Sequence, residues 1–172
     1  MNRNAPPVLV TAPVLPVVTL ADMRAHLRMT AADDDAQIVA IERAAVAHLD
    51  GWRGVLGRCL MPQTWRQDFD GWGRLRIAMP DADDITVSYR DADGAYQPQT
   101  DVVTGIDALG PYVDAAGPDT GAVRVEYVCA MPVEQLDGAR MAVKLMAEHL
   151  YDGSDLSPAF GALVAAMRWR TA

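Results

Sequence analysis

The chain is short of the residues that usually carry chemistry. It holds two cysteines, three histidines, three serines and one lysine in 172 residues. Cys59 and Cys129 are too few for a disulfide framework, and neither stands in a Cys-x-x-Cys pair of the kind that binds zinc or does redox work. Both read as small apolar packing residues. His26, His48 and His149 each fall in a predicted helix, and none has a second histidine three or four residues away, so the helical zinc pair is missing. Ser88, Ser154 and Ser157 occupy neither a nucleophile elbow nor a Ser-x-x-Lys setting. Lys144, the sole lysine, has no glycine-rich loop before it, which excludes a phosphate-cradling P-loop. The aspartate triplet Asp33 to Asp35 lacks the alternating ligands, central glycine and closing glutamate of a calcium loop and suits a helix start instead. No catalytic residue, metal or cofactor is expected.

A long apolar run is also missing. The stretch from Pro6 to Leu20 is broken by Pro13, Pro16 and threonines, and it falls short of the roughly 20 residues a bilayer span requires. It makes a poor signal peptide for the same reason, so the chain is expected to fold in the cytoplasm without a membrane partner. Positive charge is scarce where it would be needed for nucleic acid. The net charge is −8, and residues 81 to 121 set Arg90 against nine aspartates: Asp81, Asp83, Asp84, Asp91, Asp93, Asp101, Asp107, Asp114 and Asp119. Tight binding to a phosphate backbone rests on clustered Lys and Arg, so specific nucleic-acid binding is not expected.

What is present is a packed globule of one-domain length, 51% hydrophobic and 22% charged. Residues 1–18 read as an extended, proline-rich arm that runs over a neighbouring surface or subunit. Thr19 then caps a short helix in which Leu20, Met23 and Leu27 share a face. After a polar break, Ile38, Ile41, Ala45, Leu49 and Trp52 recur at helical spacing, and the glycines at 51, 54 and 57 end that helix. From residue 61 to 128 the period becomes two. Leu75, Ile77 and Met79 alternate with polar or small neighbours, as do Ile85, Val87 and Tyr89, then Val123, Val125 and Tyr127, with a turn signal at Asp91-Ala92-Asp93-Gly94. Helical spacing returns at Pro132 to Tyr151, where Leu136, Val143, Met146 and Leu150 form a stripe flanked by Ala139 and Ala147. A last helix starts with Ser157 as cap and Pro158 at its first position, and it places Phe160, Leu163, Val164 and Met167 on one face. The fold class is therefore α+β: a helical bundle of about four helices with a small antiparallel β-sheet inserted. Trp52 and Trp65 read as core residues.

The last helix follows a flexible Asp152-Gly153-Ser154-Asp155 hinge and ends in Arg168-Trp169-Arg170, residue types enriched at interface hot spots. From the residues alone, docking to a partner and packing back on the domain are equally open.

The order of these features resembles the phage head-tail connector family, the small adaptors found in tailed phages and gene transfer agents. The likeness is carried by Gly57-Arg58 with Gln63-Thr64-Trp65 at the junction between the helical and extended regions, by Thr19-Leu20 with His26-Leu27-Arg28, and by Asp33-Asp34 ahead of Ile38 and Ile41. It continues through Ile85-Thr86-Val87-Ser88-Tyr89 with Asp93-Gly94, Val123 to Tyr127, Pro132, and His149-Leu150-Tyr151. Two departures stand out. The chain has Cys129-Ala130 where the family often has a glycine, and Asp152-Gly153 where it often has an Arg-Glu pair.

The resemblance implies a single adaptor domain over residues 19–172, with helices in 19–57, a β insertion over 61–128 and helices in 132–172. It implies a ring of the chain's own copies, typically twelve, between the portal protein and the stopper or tail-completion protein of the particle. DNA would pass through the lumen. On this reading the helix over 157–170 docks on the portal through Phe160, Leu163, Val164, Met167, Arg168, Trp169 and Arg170. Asp81, Asp83, Asp84, Asp91, Asp93 and Asp101 would be lumen-facing, where negative charge keeps passing DNA from sticking. The alternatives open to the sequence are a small cytoplasmic hydrolase-like enzyme built on Asp and His side chains, and a regulator that binds a protein through its last helix.

Overall fold

A computed structural model describes residues 5–29, 34–118 and 121–169. The chain is α+β, with four helices and two antiparallel sheets among these residues, where one small sheet was expected. Its backbone divides into two compact units. One is Pro62–Ala130 together with the N-terminal stretch up to Pro13, and the other is Val14–Met61 together with Met131–Arg170.

The strand unit opens with β1 (Val8–Thr11), from the proline-rich start, which pairs antiparallel with β2 (Gln63–Phe69). Next come β3 (Gly73–Arg76), β4 (Ala82–Arg90), β5 (Tyr96–Gln99), β6 (Val102–Asp107), β7 (Gly110–Ala115) and β8 (Val123–Cys129). The five-stranded sheet has the order β1-β2-β8-β4-β5, and the three-stranded sheet β3-β7-β6. Period two sets the inward face. In β2 it is Gln63, Trp65, Gln67 and Phe69, and in β8 Val123, Val125, Tyr127 and Cys129, each directly opposite its partner on the other strand. Leu75 of β3 faces Val113 of β7 in the second sheet, and both are buried. Gln67 reaches from the first sheet to the second. Its amide donates to the Arg76 carbonyl at 3.2 Å and its Oε1 accepts from the Ala78 N–H at 3.2 Å, so a buried polar side chain is satisfied by backbone at and just past the end of β3.

The helical unit holds α1 (Leu20–Leu27), α2 (Asp35–Leu49), α3 (Val133–Asp152) and α4 (Pro158–Met167). Thr19 caps α1 as its sequence position predicts, its hydroxyl oxygen accepting from the Asp22 N–H at 3.2 Å. Ser157 does the same for α4, accepting from Phe160 N–H at 3.3 Å. One core gathers Met23, Ile38, Ala45, Leu49, Leu56, Leu60, Leu136, Ala139, Val143, Met146 and Ala147, with α2 and α4 both packed on α3.

Three details correct the sequence reading. The second helix ends at Leu49, so Trp52 lies past it and is exposed instead of buried. Leu150 falls outside the buried stripe of α3. Both cysteines are buried as expected, but neither is a free packing thiol, which their spacing alone does not reveal.

Candidate functional site

The Gly57-Arg58 junction gives the last helix its place. Gly57 has φ +63°, in the left-handed region that glycine adopts freely, and the turn brings Arg58 to the end of α4. Arg58 is buried, and its Nη1 donates to the Met167 carbonyl at 3.1 Å and to Gln135 Oε1 at 2.9 Å. A cation at the carbonyl end of a helix meets the negative pole of the helix dipole. Two residues past Met167, the Trp169 N–H donates to the Leu56 carbonyl at 2.8 Å. Gly138 of α3 completes the seat: a Cβ there would stand 3.4 Å from Met167 Sδ and 3.9 Å from Leu163 Cδ2, so the missing side chain lets α4 lie close.

This arrangement locates the residues that the resemblance assigns to portal docking. Phe160, Val164 and Met167 are buried in the helical core, and Leu163 packs partly against it. Arg168 is exposed and Trp169 half-buried, while Arg170 lies outside the described residues. In the isolated chain, then, the apolar face of α4 rests on its own unit. Its outward side is made of small residues, Gly161, Ala162, Ala165 and Ala166.

The aspartates of the β region separate into distinct roles. Asp107 and Asp114 are paired with Arg76 and Arg74 of β3, residues just ahead of the acidic segment that the count along the chain left out. The Arg76 guanidinium holds Asp107 down to about 2, and Arg74 lowers Asp114. Asp91 organises the turn between β4 and β5. It accepts from the Gln97 amide at 2.8 Å, from Ala95 N–H at 2.9 Å and from Asp93 N–H at 3.0 Å, and the Gln97 bond foremost lowers its pKa. Asp83, Asp84, Asp93 and Asp101 are exposed and form no ion pair among the described residues. Asp81 and Asp84 have φ of 56° and 47°, the second of these within the irregular stretch of β4 between Asp83 and Thr86. Asp119 lies outside the described residues.

Among the described residues no group of three His, Cys, Asp or Glu side chains comes together as a metal site would. The nearest approach to the Asp and His pairing of the enzyme alternative is His26 Nε2, 3.4 Å from Glu148 Oε2, with the glutamate about half exposed. His149 sits apart, its Nδ1 against the Ser154 carbonyl. No helix among the described residues is long and apolar enough to cross a membrane.

Sequence reasoning missed two groups. Glu42, buried on α2, accepts from the Val17 and Val18 N–H groups at 3.2 and 3.4 Å and so fixes the chain entering α1. Val103, Ile106 and Leu109, around the turn from β6 to β7, are apolar yet exposed. An aspartate-glycine-rich stretch hides them, although aliphatic residues flanking a hairpin turn are a readable sign.

The geometry defines a structural class: a helical unit and a two-sheet unit with anchored helix ends and a differentiated acidic surface. A solved structure shares the fold. The chain is similar over 96% of its length, and over 96% of the other chain, to a component of the neck of an empty gene transfer agent particle computed with C6 symmetry, at TM-score 0.75 and 22% identity. The fold thus agrees with the resemblance to head-tail connectors carried by the sequence motifs. No protein-family model matches the chain, and no curated protein does.

Proposed function

We propose that this chain is a structural, non-enzymatic head-tail adaptor that forms a ring in the neck of a tailed phage or gene transfer agent particle. The observation that carries the reading is the fold shared from end to end with a neck component, reached independently of the ordered motifs in the sequence. A C6-symmetric neck admits rings of six or a multiple of six, and twelve copies is the number the resemblance implies.

In this role the ring sits between portal and stopper or tail and lengthens the DNA exit channel. Asp83, Asp84, Asp93 and Asp101 supply unpaired negative charge suited to a lumen that repels phosphate. Docking on the portal uses α4 and the residues around it. With Phe160, Val164 and Met167 turned inward, engaging the portal through them requires α4 to leave α3, which puts the Arg58 bond to Met167 in competition with the portal contact. Many copies acting together make a weak contact durable.

Imaging purified particles, with this chain tagged, tests the reading. Density for the chain as a ring between the portal vertex and the tail is the expected result, and its absence from that position defeats the proposal. Truncation after Gly153 is expected to abolish joining to portal-filled heads. Because α4 also contributes to the core, Arg168→Glu, at an exposed position, provides the second variant: it keeps the fold and weakens attachment if the docking assignment is right.

A further inference from the structure

The N-terminal strand is held by its backbone more than by its side chains. None of the four side chains of β1 is buried, and Val8, Leu9 and Val10 are each 43 to 48% exposed, so the strand adds little apolar burial to its sheet. It is an edge, hydrogen-bonded to β2 alone. The ladder is short and irregular: Val8 stands opposite Arg66 and Leu9 opposite Trp65, but Thr11 stands opposite Thr64, which leaves Val10 with no residue across from it. Before the strand, the Ala5 N–H donates to the Asp68 carbonyl at 3.0 Å, and Pro7 is the one buried residue between 5 and 16. β8 is the opposite case, paired on both sides by β2 and β4 and burying Val123, Val125, Tyr127 and Cys129.

The link that follows β1 is free in its middle and fixed at its end. Ala12, Val14, Leu15 and Pro16 are exposed, Val14 to 92% and Leu15 to 67%, and Pro13 and Pro16 have no N–H with which to tie the stretch down. The next two residues are clamped from two helices. Glu42 of α2 accepts from the Val17 and Val18 N–H groups at 3.2 and 3.4 Å, and Arg140 Nε of α3 donates to the Val17 carbonyl at 3.3 Å. Both valines are buried.

These two features set where local opening starts and where it stops. Lifting residues 5 to 16 gives up a short edge ladder and, of the segment's own side chains, uncovers Pro7 alone. Going further would break the three bonds of the clamp and expose Val17 and Val18 to water. Regions with few buried apolar contacts and exposed backbone bonds are the ones that open without global unfolding.

We propose that β1 and its link form a strap that opens as one piece up to Val17, while the remaining strands and the helices stay folded. Open, the strap frees the backbone N–H and C=O groups along the outer edge of β2, which the closed form covers. The inference does not depend on the neck-ring reading. Hydrogen exchange on the full-length chain tests it. The bonded amides of β1 are expected to exchange together, about a hundredfold or more faster than those of β8, while the Val17 and Val18 amides stay protected. Leu9→Pro, which disfavours pairing at the edge, is expected to speed exchange in β1 further and to leave the unfolding midpoint and the protection of α1 and β8 close to wild type. β1 amides as well protected as those of β8 would overturn the proposal, as would a Leu9→Pro midpoint lowered as far as that of a buried-core truncation such as Leu49→Ala. Loss of protection at Val17 and Val18 in step with β1 would overturn the stop at the clamp, and with it the strap as a defined piece.

Discussion

The helical unit and the strand unit are each held together by different interactions. In the helical unit large side chains converge: Met23, Ile38, Leu49 and Leu56 are wholly buried, and even the last helix turns Phe160, Val164 and Met167 inward. In the strand unit the ladders and arginine-aspartate pairs fix the frame, while Val8, Leu9, Val10, Val103, Ile106 and Leu109 stay outward. The difference teaches which positions each unit's stability depends on. Removing bulk from the converging core is expected to cost folding, and removing it from the outward positions of the strand unit to cost little stability.

The largest effect tests that contrast directly. Leu49→Ala removes a fully buried side chain and is expected to destabilise by about 2–5 kcal/mol, read as a lowered denaturation midpoint. Ile106→Ala, at a position 79% exposed, is expected to change stability by under about 0.5 kcal/mol. Similar losses from both would break the comparison. Arg58→Met comes next. It removes charge-assisted bonds to Met167 and Gln135 from a buried position, each worth about 1.5–3 kcal/mol. Hydrogen exchange is expected to show α4 losing protection ahead of α2 and α3; uniform loss would mean Arg58 does not anchor α4 in particular.

Much of this frame was legible in the sequence because period and caps are local properties. Thr19 and Ser157 set helix starts by hydrogen bonds within three residues, Pro158 by its fixed φ, and the alternations in 85–89 and 123–127 mark strands whatever lies around them. The division of roles among the aspartates was not legible, because it depends on β3 pairing with β7 some 40 residues away, which brings Arg74 and Arg76 to Asp114 and Asp107. The placement of α4 was equally hidden: both of its readings need the same amphipathic face, and only the approach of Gly138 and Arg58 selects the inward one here. Leu150 and Trp52 fit helical spacing but lie beyond what the core reaches, since spacing gives a face and not how far along a helix the packing extends.

Glu42 sharpens the contrast from the polar side, as a buried acid in the helical unit. Burial pushes its pKa above the ordinary 4.5, against the bonds from Val18 and Val17 that pull it down. A raised folded-state pKa means the fold favours the protonated form, so this group's contribution to stability is present below 4.5 and is lost as pH rises through the folded value. Glu42→Gln keeps an oxygen for the two N–H groups and is expected to remove that slope. Glu42→Leu leaves both donors unpaired and is expected to cost about 1–3 kcal/mol. Unfolding midpoints of the three proteins from pH 4 to 8 check this, and parallel curves for wild type and Glu42→Gln would refute the burial argument.

The smallest effect belongs to Asp107, and its pH dependence runs the other way. Arg76 and the Leu109 N–H hold its carboxyl down to about 2, so its stabilising contribution is present above the ordinary 3.8 and is lost as pH falls through about 2. Asp107→Asn keeps an acceptor for the Leu109 N–H but gives up the ion pair with Arg76, which solvent already screens. The expected result is a slight drop in unfolding midpoint at pH 7 that shrinks to nothing by pH 2. The more telling readout is local. If the arginine grip is what holds Ile106 and Leu109 outward, the variant should lose hydrogen-exchange protection at the β6 to β7 turn, although its overall stability has barely moved. Unchanged exchange at that turn would mean that the backbone alone, through Gly110 at φ +107°, is enough to shape it.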